Sequence, residues 1–383
     1  MEWRVPLADL DFDEREERAI LGVLRSRWLT MGTVTQEFEA AFASYLGVKH
    51  AIAVSNATVA LHLANLALGV GPGDEVIVPS LTFVASVNSV LYTGASVRFA
   101  DILGPDELNI SPGEIERLIT PRTKAVLVVH YGGYPCRMRE ILEIAKRHGL
   151  PVIEDAAHAP GATLEGKPLG SWGEVGCFSF FSNKNISSGE GGMLVTNRDD
   201  LAEKIRLLRS HGMTSLTWDR HHGHAYTYDV VELGYNYRID EMRSALGQVQ
   251  LEKLRENNAR RKAITEQYWN GLDESRFGLP FRHAAGESSY HIFPILLPSG
   301  VQRNPFIDYL RKDGIQTSLH YPPVHRFTYY QMNYPGIELP VTEQVSLREV
   351  TLPLFPGMRA EQIELVVTSA NAAIEKAIVH SRT

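Results

Sequence analysis

The sequence predicts an α/β protein: a largely parallel sheet of the seven-stranded type, covered by helices on both faces, followed by a smaller α+β domain. Three observations carry this expectation. Short apolar runs alternate with helical patterns over roughly the first half of the chain. Most of those runs are apolar throughout, as strands buried on both faces must be. From about Leu251 the texture changes to a long charged helix and a shorter mixed pattern. The expected division is therefore a large domain over residues 1–250 and a small one over 251–383.

Each element follows from its local pattern. Asp11 to Arg27 reads as an amphipathic helix with Ala19, Ile20, Val23 and Leu24 on one face, and residues 34–46 read as another. KHAIAVS is a short buried strand, followed by a helix from about Ala57 to Leu68 that stops at Gly69. EVIVPS (strand), TFVASVNSVLYTG (helix) and ASVRFAD (strand) come next, then TKAVLVVHY, the helix REILEIAKRHG, and the strands PVIEDAA and GCFSFFS. Past the long helix LEKLRENNARRKAITEQYWNGL, a strand SYHIFPILLP, a helix NPFIDYLRKDG, a strand GIQTSLHY and a terminal helix EQIELVVTSANAAIEKAI complete the chain.

Composition excludes several function classes. The 383 residues carry a net charge of −7 with no block of like charge, which disfavours nucleic-acid and anionic-membrane binding. Cys136 and Cys177 can form no disulfide framework and lack metal-ligand spacing. The N-terminus becomes charged before any apolar run develops, unlike a signal peptide, and AIAVSNATVALHLANLALGV is broken by polar residues. A cytoplasmic location is expected.

Three stretches carry chemistry. Glu154, Asp155 and His158 lie at the carboxyl end of an apolar strand, where open α/β sheets bind ligands. Asp155 there is either a helix cap or a buried carboxylate that holds a cationic ring nitrogen. SNATVALHLANLAL begins a helix directly after a strand, so the N–H groups around Ser55, Asn56, Ala57 and Thr58 either are capped or bind phosphate. In SFFSNKNISSGEGGM, Lys184 stands alone between aromatics and a glycine turn. It is either an ordinary loop lysine or a desolvated amine poised for a Schiff base. A phosphate site, a ring-nitrogen carboxylate and an isolated lysine are together what pyridoxal phosphate requires. The glycine run Gly69 to Glu75 precedes a strand and reads as a turn, and no GK[ST] phosphate loop occurs.

With these residues in view, the chain resembles the DegT-type nucleotide-sugar aminotransferases, which are fold-type-I pyridoxal phosphate enzymes. RSRWLTMG, SNATVALHLA, PGDEVIVPSLTFVAS, VIEDAAHAPGA, SFFSNKNISSGEGGM, LGYNYRIDE, LHYPPVH and TLPLFPGM occur in the family's order across nearly the whole chain. The resemblance implies that Lys184 carries the cofactor as an internal aldimine and shuttles the proton, with pyridoxamine phosphate as intermediate. It implies that Asp155 pairs with the pyridinium nitrogen, that His158 lies near the ring hydroxyl, and that Phe83 stacks on the ring. Ala57, Thr58 and Ser179 match the phosphate cradle, although SNAT departs from the commoner SSGT. Asn236 matches a residue that reaches the neighbouring subunit's cofactor, which implies a homodimer with shared active sites. His320, Tyr321 and His325 match a substrate-side loop.

The implied reaction moves an amino group from L-glutamate to a nucleotide-linked keto sugar. The first choice is C4 of a dTDP-4-keto-6-deoxyhexose, because His158 and RSHGMTSLTWDRHHGHAYTYD resemble C4-acting members; attack at C3 is the alternative. A related branch that deoxygenates C3 carries histidine where Lys184 stands. A non-catalytic, cofactor-binding regulator would need a DNA-binding segment or basic patch, and neither occurs. The three histidines His221, His222 and His224 are spaced loosely for a metal, and none is expected.

Overall fold

The computed structural model describes residues 3–214 and 227–380. The first half builds one sheet and its helices. After α1 (Glu14–Ser26) and α2 (Thr33–Leu46) come β1 (His50–Val54), α3 (Ala57–Ala67), β2 (Glu75–Pro79), α4 (Ala85–Leu91) and β3 (Ser96–Ala100). A small hairpin, β4 (Ile102–Gly104) and β5 (Glu107–Ile110), leads to α5 (Pro112–Leu118), β6 (Thr123–Val129), α6 (Met138–His148) and β7 (Val152–Asp155). A second hairpin, β8 (Thr163–Leu164) and β9 (Lys167–Pro168), precedes β10 (Val175–Ser179), β11 (Gly192–Thr196) and α7 (Asp199–Arg209).

The seven-stranded sheet has the order β1-β11-β10-β7-β6-β2-β3. β10, β7, β6, β2 and β3 pair parallel, while β11 runs antiparallel to both β10 and β1. Side chains alternate between the two faces, as a strand requires. Ala125, Leu127 and Val129 of β6 join the core beneath α3, α4 and α7, whereas Val126 and Val128 join the core with α2 and α6. The expectation of a largely parallel sheet is met; β11, hidden behind the glycine turn, is the added antiparallel strand.

The remainder forms the smaller unit: α8 (Glu241–Gly271), β12 (Phe293–Leu296), α9 (Arg303–Lys312), α10 (Thr328–Asn333), α11 (Pro340–Arg348), β13 (Glu349–Leu352) and α12 (Ala360–His380). The 31-residue α8 starts ahead of Leu251 because Asp240 caps it through the Arg243 N–H, so the expected division at 250/251 falls inside one helix. Its Leu251 and Leu254 pack with the sheet, its Ile264 and Tyr268 with the C-terminal core. The chain's beginning also joins that core: the N–H groups of Arg4 and Val5 donate to Gly314 O, and Gln316 N–H donates to Val5 O. GIQTSLHY, expected as a strand, makes only isolated bridges at Ile315 and Ser318. Among the described residues no helix is long and apolar enough to cross a membrane.

Two contacts explain how the first helices are set. α1 is capped by Asp13 in a capping box with Glu16. Of its expected apolar face Val23 is buried but Leu24 is exposed; the protein-facing group is instead Glu16, which receives Lys253 and Gln250 of α8. α2 begins at Gly32, which has no capping side chain. Its exposed positive end is met by the buried Glu241 carboxylate, which accepts the N–H groups of Gly32, Val34 and Thr35 and the Thr35 hydroxyl at 2.6–2.9 Å. Glu241→Ala strands those donors in the interior and should cost about 2–3 kcal/mol. The measurement is the shift of the thermal and urea midpoints, with Glu241→Gln losing less because one acceptor oxygen remains.

Candidate active site

A cavity of about 770 Å³ opens at the carboxyl ends of β6, β7 and β10, beside the start of α3. Ala57, Thr58, Phe83, Asp155, His158, Ser179, Lys184, His320 and Tyr321 all line it. Asn236 does not line its own chain's cavity and is exposed. His325 is buried elsewhere, bonded to Ser80 Oγ at 2.7 Å and Glu343 Oε1 at 3.0 Å. His221, His222 and His224 lie outside the described residues.

The strand β7 separates two carboxylates that the sequence places side by side. Glu154 turns away from the cavity and is fully buried. It accepts Gly170, Trp172 and Gly173 N–H at 2.8, 2.6 and 2.7 Å and His130 Nε2 at 2.9 Å, so its charge is spent on structure. Asp155 turns into the cavity. It accepts only the Ser86 hydroxyl at 2.7 Å and the Ala157 N–H at 3.1 Å, and burial pushes its carboxyl above the usual range. A carboxylate so placed is stabilised by any cation that enters.

Lys184 stands in the loop between β10 and β11, its N–H bonded to Phe181 O at 2.8 Å. Burial lowers its amine to about 8, while the Asp155 charge pulls the other way. Its Nζ lies 3.4 Å from His291 Nε2. In the sequence His291 is only a titratable residue at the head of an apolar run. Asn183, Tyr92 and Ser318, also in the wall, were equally silent.

His158 accepts the Gly132 N–H on Nδ1 at 3.2 Å. Burial pushes its ring well below the usual imidazole range. A neutral ring with Nδ1 occupied as acceptor carries its proton on Nε2, which donates to the Tyr321 oxygen at 2.9 Å. The Tyr321 hydroxyl hydrogen is then free for a ligand, so Tyr321 belongs with His158 as much as with the substrate loop. His320 is anchored by Thr351 Oγ1 at 2.8 Å and by Glu349, which accepts its N–H at 2.9 Å.

The opposite end suits a phosphate. The first N–H groups of α3 lack intrahelical partners by construction, and the Asn56 side chain caps only Val59 N–H. Gly192 presses against this start so closely that a Cβ would meet Asn56 C at 2.6 Å and Ala57 N at 2.8 Å. Among the described residues Asn183 Oδ1 has no hydrogen-bond partner, and Phe83 is 57% exposed at the mouth. A helix start for phosphate, a buried carboxylate for a ring nitrogen, a lowered amine for an aldehyde and an open aromatic face match pyridoxal phosphate group by group.

Fold and site together define a pyridoxal-phosphate-dependent aminotransferase of fold type I. Residues 10–371 match the model of the DegT/DnrJ/EryC1/StrS aminotransferase family, and the chain belongs to that family. It is 39% identical over 373 residues to the spore coat polysaccharide biosynthesis protein SpsC of Bacillus subtilis (strain 168), covering 95% of each chain. Among solved structures it resembles Helicobacter pylori PseC, an aminotransferase involved in the biosynthesis of pseudoaminic acid. That match has 30% identity and a TM-score of 0.91, covering 98% of this chain and 100% of that one. It also resembles NtdA of Bacillus subtilis, solved with bound cofactor PMP, at 31% identity and a TM-score of 0.87 over 96% of this chain and 83% of that one.

In the cofactor-free protein, acylation of Lys184 should be half-maximal near pH 8, against about 10.4 for an ordinary lysine. Asp155→Asn removes the charge that holds the amine up, so the midpoint should fall further; an unchanged midpoint would show that the two groups do not sense each other. The unfolded chain keeps this lysine protonated to higher pH and so binds more protons above pH about 8. Lys184 therefore contributes stability that rises with pH across that window.

Proposed function

We propose that the protein transfers an amino group from L-glutamate to a nucleotide-linked keto sugar, at C4 of a dTDP-4-keto-6-deoxyhexose. The observation that carries this is the pairing of a lowered amine, Lys184, with a buried carboxylate, Asp155, in one cavity. Sugar as the acceptor is supported by relatives named for polysaccharide and pseudoaminic acid biosynthesis. The C4 position is supported by His158 and the sequence around RSHGMTSLTWD. The cavity volume, about 770 Å³, suits a cofactor together with part of a second ligand.

Bound pyridoxal phosphate supplies the electron sink for the pair left when a hydrogen leaves the carbon next to nitrogen. The start of α3, with Ala57 and Thr58 N–H and Ser179, binds the phosphate. Asp155 would hold the ring nitrogen cationic, Phe83 would pack on the ring face, and His158 with Tyr321 would address the ring oxygen. Lys184 Nζ would take the proton from the glutamate α-carbon and later place one on the sugar carbon. One amino group is thereby exchanged for one carbonyl oxygen in each half of the cycle.

We also propose a homodimer in which Asn236 reaches the partner's phosphate site. Support comes from the exposure of Asn236 and of its apolar neighbours Val230, Val231 and Leu233, a patch a second copy would cover.

Protein loaded with pyridoxal phosphate should show a visible band that bleaches on adding L-glutamate, with 2-oxoglutarate released, and Lys184→Ala should yield no borohydride-fixed cofactor. The aminated enzyme should then turn over a 4-keto sugar nucleotide; turnover of the 3-keto isomer alone would move the reaction to C3. Lys184→Ala and Asn236→Ala, each inactive, should regain activity when unfolded and refolded together, since a hybrid dimer has one site free of both changes. Without such rescue, the site is not shared.

A further inference from the structure

His291 is a buried histidine with every ring atom accounted for. Asn185 uses both amide hydrogens, donating to Asn258 Oδ1 at 2.8 Å and to Ser289 O at 2.7 Å. Asn258 in turn donates to Pro160 O at 2.9 Å, which fixes its own orientation. The Asn185 oxygen is thereby turned toward His291 Nδ1 at 2.9 Å and requires a hydrogen there. Nε2, on the other side of the ring, faces Lys184 Nζ at 3.4 Å.

The ring's charge state is set by what surrounds it. Arg261 of α8 is buried, donates to His291 O at 3.2 Å and Leu354 O at 2.9 Å, and among the described residues has no carboxylate in ion-pair range. His158 lies 4.5 Å away, centroid to centroid. Burial first, then Lys184, His158, Arg261 and His320, drive the imidazole well below its ordinary range. A neutral ring with its hydrogen on Nδ1 leaves Nε2 as a pure acceptor. The relay Asn258–Asn185–His291 therefore ends on a lone pair aimed at the lysine amine.

We propose that His291 is a positioning residue for Lys184: its Nε2 accepts the amine whenever that amine is not bonded to cofactor, holding it at the cavity wall for proton transfer. The proposal rests on the role given above to Lys184, but the contact exists in the protein without cofactor. An acceptor with no hydrogen to offer orients the amine through one N–H and leaves the nitrogen lone pair free for the proton it must take. An unheld four-carbon side chain would sample other rotamers, and misplacement of a proton-transfer group by about 1 Å costs on the order of 100-fold. Asn185 follows Lys184 in sequence, so the relay grips the loop on the side opposite the cavity.

The test compares His291→Leu, His291→Gln and Asn258→Ala. In cofactor-free protein, the pH midpoint for acylation of Lys184 is read by mass spectrometry. In loaded protein, the single-turnover rate with L-glutamate and its KM are measured. His291→Leu removes the acceptor from the protonated amine, so the midpoint should fall, and the rate should drop about 10- to 100-fold with little change in KM. His291→Gln, whose side-chain oxygen can replace Nε2, should restore both toward wild type. Asn258→Ala, which frees the Asn185 amide to turn, should shift both in the same direction by less.

An unchanged midpoint in folded His291→Leu overturns the proposal, whatever happens to the rate, because packing alone would explain a slower enzyme. Equal damage from Leu and Gln also overturns it. If His291→Leu does not fold, a wild-type midpoint in Asn258→Ala decides against it. Should the wild type fail to react with glutamate, the proposed amino donor falls, while the midpoints still decide whether His291 holds Lys184.

Discussion

The register of β7 is the constraint on which the site depends. Its last two residues are both acidic, and a strand sends them to opposite faces. Burying a carboxylate is expensive unless its oxygens are met by donors. Glu154 meets that condition with four donors from His130 and the Gly170–Gly173 turn. A slip by one residue would exchange the two faces, stranding those donors and placing Asp155 among them. Gly176, paired with Glu154 across the sheet, lets the turn lie this close, since a Cβ there would meet Gly170 O at 2.0 Å. The fully bonded Glu154 thus pins β7, and Asp155, with its two donors, is left facing the cavity with charge to spare.

The smaller unit supplies the other wall, again through buried polar groups. Glu349, at the start of β13, accepts the His320 N–H and the Thr351 hydroxyl, and burial raises it to about 8. Tyr131 donates its hydroxyl to His320 O. Tyr321, next in the chain, is thereby delivered to His158, while His291 and Arg261 stand behind Lys184. Glu349 thus fixes the loop that carries His320 and Tyr321 from behind the cavity lining.

What was legible in the sequence was local. A strand end, a helix start and a lone lysine between aromatics each show in a few neighbouring residues, so Asp155, the Ala57–Thr58 start and Lys184 were found, and the structure gathers them with Phe83, His158 and Ser179 around one cavity. What was missed was distant. The relay behind Lys184 joins residues 73 and 106 positions apart, and nothing in SYHIFPILLP distinguishes a histidine that meets a lysine from one that packs. β11 is hard to see in the sequence because its five residues, GMLVT, follow directly on a glycine turn and are too few to show a strand period of their own. The start of α8 lies ahead of the expected one because its first turns bury against α2, through Glu241, Ser244 and Gly247, and lack the charged texture that marks the rest.

The same division bears on specificity. Within one chain, the cofactor end of the cavity is lined by groups held from behind, Asp155 by Ser86 and Ala157 and His158 by Gly132. The outer end is bordered by Tyr92, Phe181 and Glu190, of which all three are exposed. Moving the reacting ketone from C4 to C3 shifts the sugar by about one bond length past Lys184, a displacement too small for the proton-transfer groups themselves to resist selectively. Selection must therefore come from contacts far from the reacting carbon that fix how deep the nucleotide end sits, with binding energy there spent on placement. Residues in such contacts need only a surface of the right depth, not a titratable group at a strand end. On this argument the outer wall adds depth control to whatever His158 and its neighbours contribute at the ring.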